Sequence, residues 1–229
     1  MDRGRGTRMK HIVIDLEMNP IAKEFKLERE FCYQEIIQIG AVILDDDYHE
    51  IGNFMTLVKP EYNNKIERNI EKLTAITSDM IQSAPVFKDA IKMFFDWCNS
   101  IPDKICFYQW SSSDRCQVTK ELQLKNLRLS DNDQKILDSW EDFQYEFGSE
   151  LGLDQSISLK NALMYAGLDF EGRQHDALYD ARNTAELLHT VRDPELKQKA
   201  LDIVIEALHP APNCTIGDLF DFSQFTFGA

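Results

Sequence analysis

The chain has 229 residues, of which 43% are hydrophobic and 28% charged, a composition suited to one well-buried globular domain. Its 25 basic and 39 acidic residues leave a net charge of −14, which argues against stoichiometric coating of nucleic acid and favours chemistry at a strand end, where divalent cations supply local positive charge. The apolar runs at 11–14 and 36–44 fall far short of the ~20 residues that span a bilayer, and the basic segment 1–10 lacks the apolar stretch of a secretory signal.

In chain order, residues 1–9 read as a flexible extension and 11–16 as a buried strand. Residues 35–44 and 51–58 read as two further strands joined by a polar turn at 45–50, an antiparallel hairpin. Residues 84–100 carry apolar side chains at the spacing of an amphipathic helix. A fourth strand is expected at 104–108, a helix at about 113–125, and a short fifth strand at 135–137. Helices follow at roughly 140–150, 158–166, 176–191 and 195–207. The last stretch, 210–229, mixes Pro, Asn and Gly with Phe220, Phe222, Phe225 and Phe227. Hairpin followed by strand–helix alternation predicts an α/β fold with a mixed five-stranded sheet flanked by helices, the architecture of ribonuclease-H-like nucleases. One domain over 10–191 is expected, with 192–229 a helix and tail packed on it. The tail's apolar area either packs on its own domain, lines a homodimer or partner interface, or covers the site. Five cysteines without a C-x-x-C pair suggest reduced thiols in a cytoplasmic protein.

Asp-x-Glu occurs three times, and context separates the copies. Asp193–Glu195 opens a helix around Pro194, and Asp169–Glu171 lies in a glycine-bounded loop. Only Asp15–Glu17 ends an apolar strand. There the two carboxylates share a face while Leu16 points to the core, and neither Lys nor Arg stands within four residues on either side. Adjacent buried carboxylates repel, and a divalent cation removes the conflict. Asp114 follows the fourth strand and, taken alone, is more simply a helix cap. Ala177, Ala181 and Ala185 recur at i+4 and give a narrow face that lets their helix approach the sheet, with Asp180 beside that face and His175 just before the helix.

The ordered set I-D-L-E (14–17), Trp110-x-x-x-Asp114 and His175-x-x-x-x-Asp180-Ala resembles the DEDDh family of 3′→5′ exonucleases. The blocks E-I-I-Q-I-G-A-V (35–42), V-K-P (58–60), L-T-A-I-T (73–77) and G-R-Q-H…D-A-R-N (172–183) resemble its Eri-type and KapD-like branch. The likeness covers about residues 10–190. It departs at Ala75, where the branch usually has Gly, and after His175, where Asp-Ala replaces a small residue.

The resemblance implies two Mg²⁺ or Mn²⁺ ions on Asp15, Glu17, Asp114 and Asp180, with His175 as general base, releasing nucleoside 5′-monophosphates from 3′ ends of single-stranded RNA or, less favoured, DNA. It places the terminal nucleotide against Met18, Asn19, Leu73 and Thr74. Met18 suits base packing and core filling equally. Trp110 either stacks on substrate or, more simply, fills the space beneath the site. A second implication, from the KapD-like branch, is a regulatory protein that acts mainly through protein–protein binding.

Overall fold

A run of β-branched and apolar residues, His11–Ile14 extended on both sides, forms the central strand of a five-stranded sheet. A computed structural model describes residues 9–153 and 156–208. The chain runs β1 (Met9–Pro20), α1 (Lys26–Phe31), β2 (Gln34–Leu44), β3 (Glu50–Leu57), α2 (Arg68–Thr74), α3 (Ser78–Ile81), α4 (Phe87–Asn99) and β4 (Lys104–Gln109). It continues α5 (Ser113–Leu124), α6 (Asp131–Asp138), β5 (Trp140–Asp142), α7 (Phe143–Glu150), α8 (Leu159–Tyr165), α9 (Ala177–Arg192) and α10 (Pro194–Leu208).

The strand order is β3-β2-β1-β4-β5. β2 is antiparallel to both β1 and β3, and β4 is parallel to both β1 and β5. The mixed sheet expected from the sequence is therefore present, and its two faces follow the period-2 alternation of β1. Ile12, Ile14 and Leu16 pack with Phe87 and Phe94 of α4 and with Val118 and Leu122 of α5. Val13 faces the other way, into a second core with Phe143 and Phe147 of α7, Ala181 and Ala185 of α9, and Ala200 and Val204 of α10.

The expected fifth strand at 135–137 is wrong: those residues lie inside α6, and the fifth strand is Trp140–Asp142. Ser130 caps α6, its Oγ accepting the Asp133 N–H at 3.1 Å, and the single buried side chain of this helix is Leu137. A run as short as Lys135-Ile136-Leu137 fits a helix as well as a strand, so periodicity alone does not separate the two. The helix expected at 140–150 consequently begins only at Phe143. The short helices α1, α2 and α3 are additional to the expected elements. α10 contributes to the second core, whereas residues 1–8 and the tail 210–229, with its four phenylalanines, lie outside the described residues. No helix among the described residues is long and apolar enough to cross a membrane, and Cys32, Cys98, Cys106 and Cys116 are free.

Candidate active site

β1 carries Asp15 and Glu17 on the face that continues from Val13, while Leu16 between them enters the opposite core. A register irregularity against β2 follows immediately, between Glu17 and Met18, and Met18 then packs half-buried beside the Leu16 core. The bulge ends the alternation just where the two carboxylates have been delivered.

Asp114 sits in the first turn of α5, buried, and does not cap it. The capping is done from elsewhere. Gln109 Oε1 accepts the Arg115 N–H at 2.9 Å, and Asp142 Oδ2 accepts the Ser112 N–H at 3.0 Å. The ends of β4 and β5 thus satisfy two N–H groups at the start of α5 without using the Asp114 carboxylate.

Asp180 rides on α9, whose N-terminus is seated on β2. Gln38 Oε1 accepts the Ala177 N–H at 3.1 Å, and a Cβ placed on Gly40 would overlap the backbone of Ala177 and Leu178. The narrow alanine face meets a glycine in the strand beneath it, which is how the helix comes so close. Asp176 caps α9 by accepting the N–H groups of Leu178 and Tyr179, so Asp180 is not needed for that task.

His175 precedes α9 with a left-handed backbone, φ 61°. Its N–H donates to Asp180 Oδ2 at 3.3 Å, and its Nδ1 stands 4.0 Å from Glu17 Oε1, with half of the side chain exposed. Glu17, His175 and Asp180 offer ligand atoms that all lie within 4.8 Å of one another.

Burial is the first cause that raises every one of these carboxylates, and their neighbours add to it. Glu17 is pushed to about 8 by burial and then by Asp180 and Asp114. Asp114 also reaches about 8, by burial and then Asp180. Asp180 rises to about 7 by burial, tempered by the His175 N–H. Asp15 is held well above the usual range by burial, then by Asp114, Asp180 and Glu17. Among the described residues, no lysine or arginine pairs with any of the four, and Asp180 Oδ1 is buried without a partner.

The same molecule shows how a structural carboxylate is treated. Glu35 and Glu121 are fully buried, yet Lys125 Nζ lies 3.0 Å from the first and 2.8 Å from the second. Backbone N–H groups of Glu61 and Tyr62 satisfy Glu35 further, and that of Ile36 satisfies Glu121. Four uncompensated carboxylates, with hard oxygen donors and no sulfur, suit Mg²⁺ or Mn²⁺. The other three-residue group of this kind, Asp45, Asp47 and His49, is a surface turn whose Asp45 already accepts two backbone N–H bonds.

The expected nucleotide-contact residues divide. Leu73 is 48% exposed at the end of α2. Thr74 is buried, its Oγ1 donating to Ile70 O and accepting the Ile76 N–H. Asn19 is fully buried and brackets the segment leading to α2, its amide donating to Lys65 O at 3.1 Å and its oxygen accepting the Glu67 N–H at 2.9 Å. Trp110 is buried against Phe143 and Phe147, with ring centroids 6.1 and 5.9 Å away. Sequence reading passed over Gln38, Gly40, Gln109 and Asp142; of these only Gly40 carried a signal, a glycine interrupting a β-branched strand.

A family model described as exonuclease, of the RNase T type, matches residues 12–188. The rat 3′-5′ exoribonuclease 1 is 28% identical over 165 residues, covering 69% of this chain and 46% of the relative. The zebrafish (Danio rerio) ERI1 exoribonuclease 2 is 28% identical over 180 residues, covering 70% and 32% respectively. The chain therefore spans about half or less of the length of these relatives. Among solved structures, the nuclease domain of 3′hExo, a DEDDh family member bound to rAMP, superposes with a TM-score of 0.68 at 24% identity, covering 80% of this chain and 90% of that one. Pop2p of S. pombe, in a form with Mg²⁺ and Mn²⁺ bound, gives a TM-score of 0.60 at 16% identity, with 82% and 84% covered. These two likenesses bear on the fold, which is that of the ribonuclease-H-like exonucleases. With its family model spanning most of the sequence, from the first core strand into α9, the chain belongs to the RNase T-type exonuclease family.

Proposed function

We propose that this protein is a metal-dependent 3′→5′ exonuclease that releases nucleoside 5′-monophosphates from single-stranded nucleic acid, RNA in preference to DNA. The observation that carries this reading is the meeting of four partly or fully buried carboxylates without a lysine or arginine partner, beside a histidine bonded through its backbone to Asp180 and standing 4.0 Å from Glu17. The preference for RNA rests on the relatives, which are exoribonucleases by name.

Asp15, Glu17 and Asp180 would hold one divalent cation, and Asp15 with Asp114 a second. Two ions in such a site supply charge stabilisation for the attacking and leaving oxygens of an in-line displacement. The chain's own residues do the rest. His175 takes the proton of the attacking water on its imidazole and, being half exposed, passes it to solvent. The backbone bond to Asp180 keeps that imidazole beside the carboxylates. Exposed Leu73 and half-buried Met18 offer apolar surface to the terminal nucleoside. Thr74 and Asn19 shape that surface from behind by fixing both ends of α2.

The test is a degradation assay on 5′-labelled RNA and DNA of one sequence, with and without Mg²⁺ or Mn²⁺. Metal-dependent shortening from the 3′ end, faster on RNA, is expected. His175→Ala should lower turnover by about 10²–10⁴-fold, the range for loss of a general base, and Asp15→Ala, which removes a ligand from both cations, by at least as much. Near-wild-type rates in either variant would remove its assigned role.

A further inference from the structure

The segment that carries His175 is held to the rest of the molecule by few bonds. Residues 172–175 lie in neither helix nor strand, and all four are exposed. Two of them, Gly172 (φ 74°) and His175 (φ 61°), have left-handed backbones. A Cβ at Gly172 would run into the ring of Tyr179, so the chain there lies flat against α9. For the non-glycine His175 that backbone conformation is strained and persists only if its surroundings impose it.

Arg173 supplies part of that imposition from an unexpected direction. Its Nη2 donates to the carbonyls of both Lys72 and Leu73, each at 3.3 Å, across about a hundred residues of sequence. Those are end carbonyls of α2. The preceding one, of Glu71, is taken by the N–H of Ala75, which closes the helix in the left-handed conformation. A guanidinium thus completes the capping of a helix C-terminus, where both the orphan carbonyls and the axial dipole favour a cation. Among the described residues, no other hydrogen bond joins segment 172–175 to α2.

α2 carries Leu73 and Thr74, and segment 172–175 carries His175. We propose that Arg173 is a positioning residue that locks the nucleotide-facing end of α2 to the His175 segment, so that terminal-nucleoside binding and proton removal share one preset geometry. The positioning of His175 for catalysis rests on the exonuclease reading above; the mechanical lock between the two segments does not. Arg173 need not touch the substrate. It acts by fixing the distance between two walls of the cleft, and displacement of a catalytic group by about 1 Å can cost on the order of 100-fold in rate.

The experiment compares wild type with Arg173→Ala and Arg173→Lys by hydrogen exchange of the metal-free protein, Mn²⁺ titration, and steady-state kinetics on an oligoribonucleotide. In Arg173→Ala, exchange should rise at both 68–75 and 172–176 while Mn²⁺ affinity changes by less than kcat does, because Asp15, Glu17 and Asp114 sit on other supports and Asp180, bonded to this segment through the His175 N–H, is carried by α9. The kcat should fall by about 10- to 100-fold with a smaller change in KM. Arg173→Lys, which keeps a nitrogen able to donate to both carbonyls, should recover much of both losses. Unchanged exchange in either segment overturns the lock, whatever the activity. A raised KM with unaltered exchange also overturns it, and would make Arg173 a direct phosphate contact. If the wild-type protein cleaves no nucleic acid, the exonuclease reading fails, while the exchange arm still decides the lock.

Discussion

Asp15, Glu17, Asp114 and Asp180 are kept close together in partly or fully buried positions, and their protonation is where the site touches stability. Glu17 and Asp114 are pushed to about 8 and Asp180 to about 7, against roughly 4 for carboxyls in an unfolded chain. Between those limits the folded state binds more protons than the unfolded state. Metal-free protein should therefore lose stability as pH rises from about 4 to 8, and be most stable, as far as these groups decide, at the acidic end. Asp15→Asn removes one charge from the cluster. It is expected to raise the metal-free stability at pH 8 by about 1–3 kcal/mol, the scale for relieving one unpartnered buried group. It should also flatten the pH dependence and abolish stabilisation by Mn²⁺. Urea unfolding at pH 5.5 and 8 checks this. An Asp15→Asn protein less stable than wild type at pH 8 would mean that the carboxylate has a structural partner.

Two backbone positions decide how elements deliver those residues. Gly40 lets α9 lie on β2, and α9 carries Asp180. Gly40→Ala should destabilise by about 1–3 kcal/mol or more through backbone overlap, and weaken Mn²⁺ binding with it. Ala75 closes α2 at φ 56°, a conformation that favours glycine. Ala75→Gly should stabilise by up to about 1 kcal/mol, the cost of holding a Cβ there. Chemical denaturation of both variants reads the opposite signs; a neutral Gly40→Ala would mean that the helix does not sit as close as described. At this scale the sequence was uneven. The apolar run before Asp15 made β1 legible, and the i+4 alanines announced a helix that approaches the sheet. The three residues 135–137 misled because two apolar side chains, Ile136 and Leu137, have no period to read, although Ser130 and Asp133 already spelled a helix start.

Across the whole molecule, the candidate site was legible in part from local context, Asp15 and Glu17 at a strand end and Asp180 beside a small-residue face, whereas Asp114 read alone as a helix cap and joined the set through the family resemblance. Its supports were not. Asn19 reaches Glu67, Gln117 and Glu121 reach Gln34 and Ile36, and Arg173 reaches Lys72, all across dozens of residues without a local pattern. Such contacts depend on the completed fold and leave no spacing rule in the chain. The net charge of −14 also acquires a local meaning. Lys125 pairs with the buried Glu35 and Glu121, whereas no lysine or arginine among the described residues pairs with the four candidate ligands. Everything proposed for the chemistry depends on that cluster capturing metal. Calorimetric titration of the metal-free protein with Mn²⁺ at pH 7 tests it most directly. Two ions per chain, taken up with release of protons and lost in Asp15→Asn, is the predicted result; no saturable binding, or binding that survives that substitution unchanged, would contradict it.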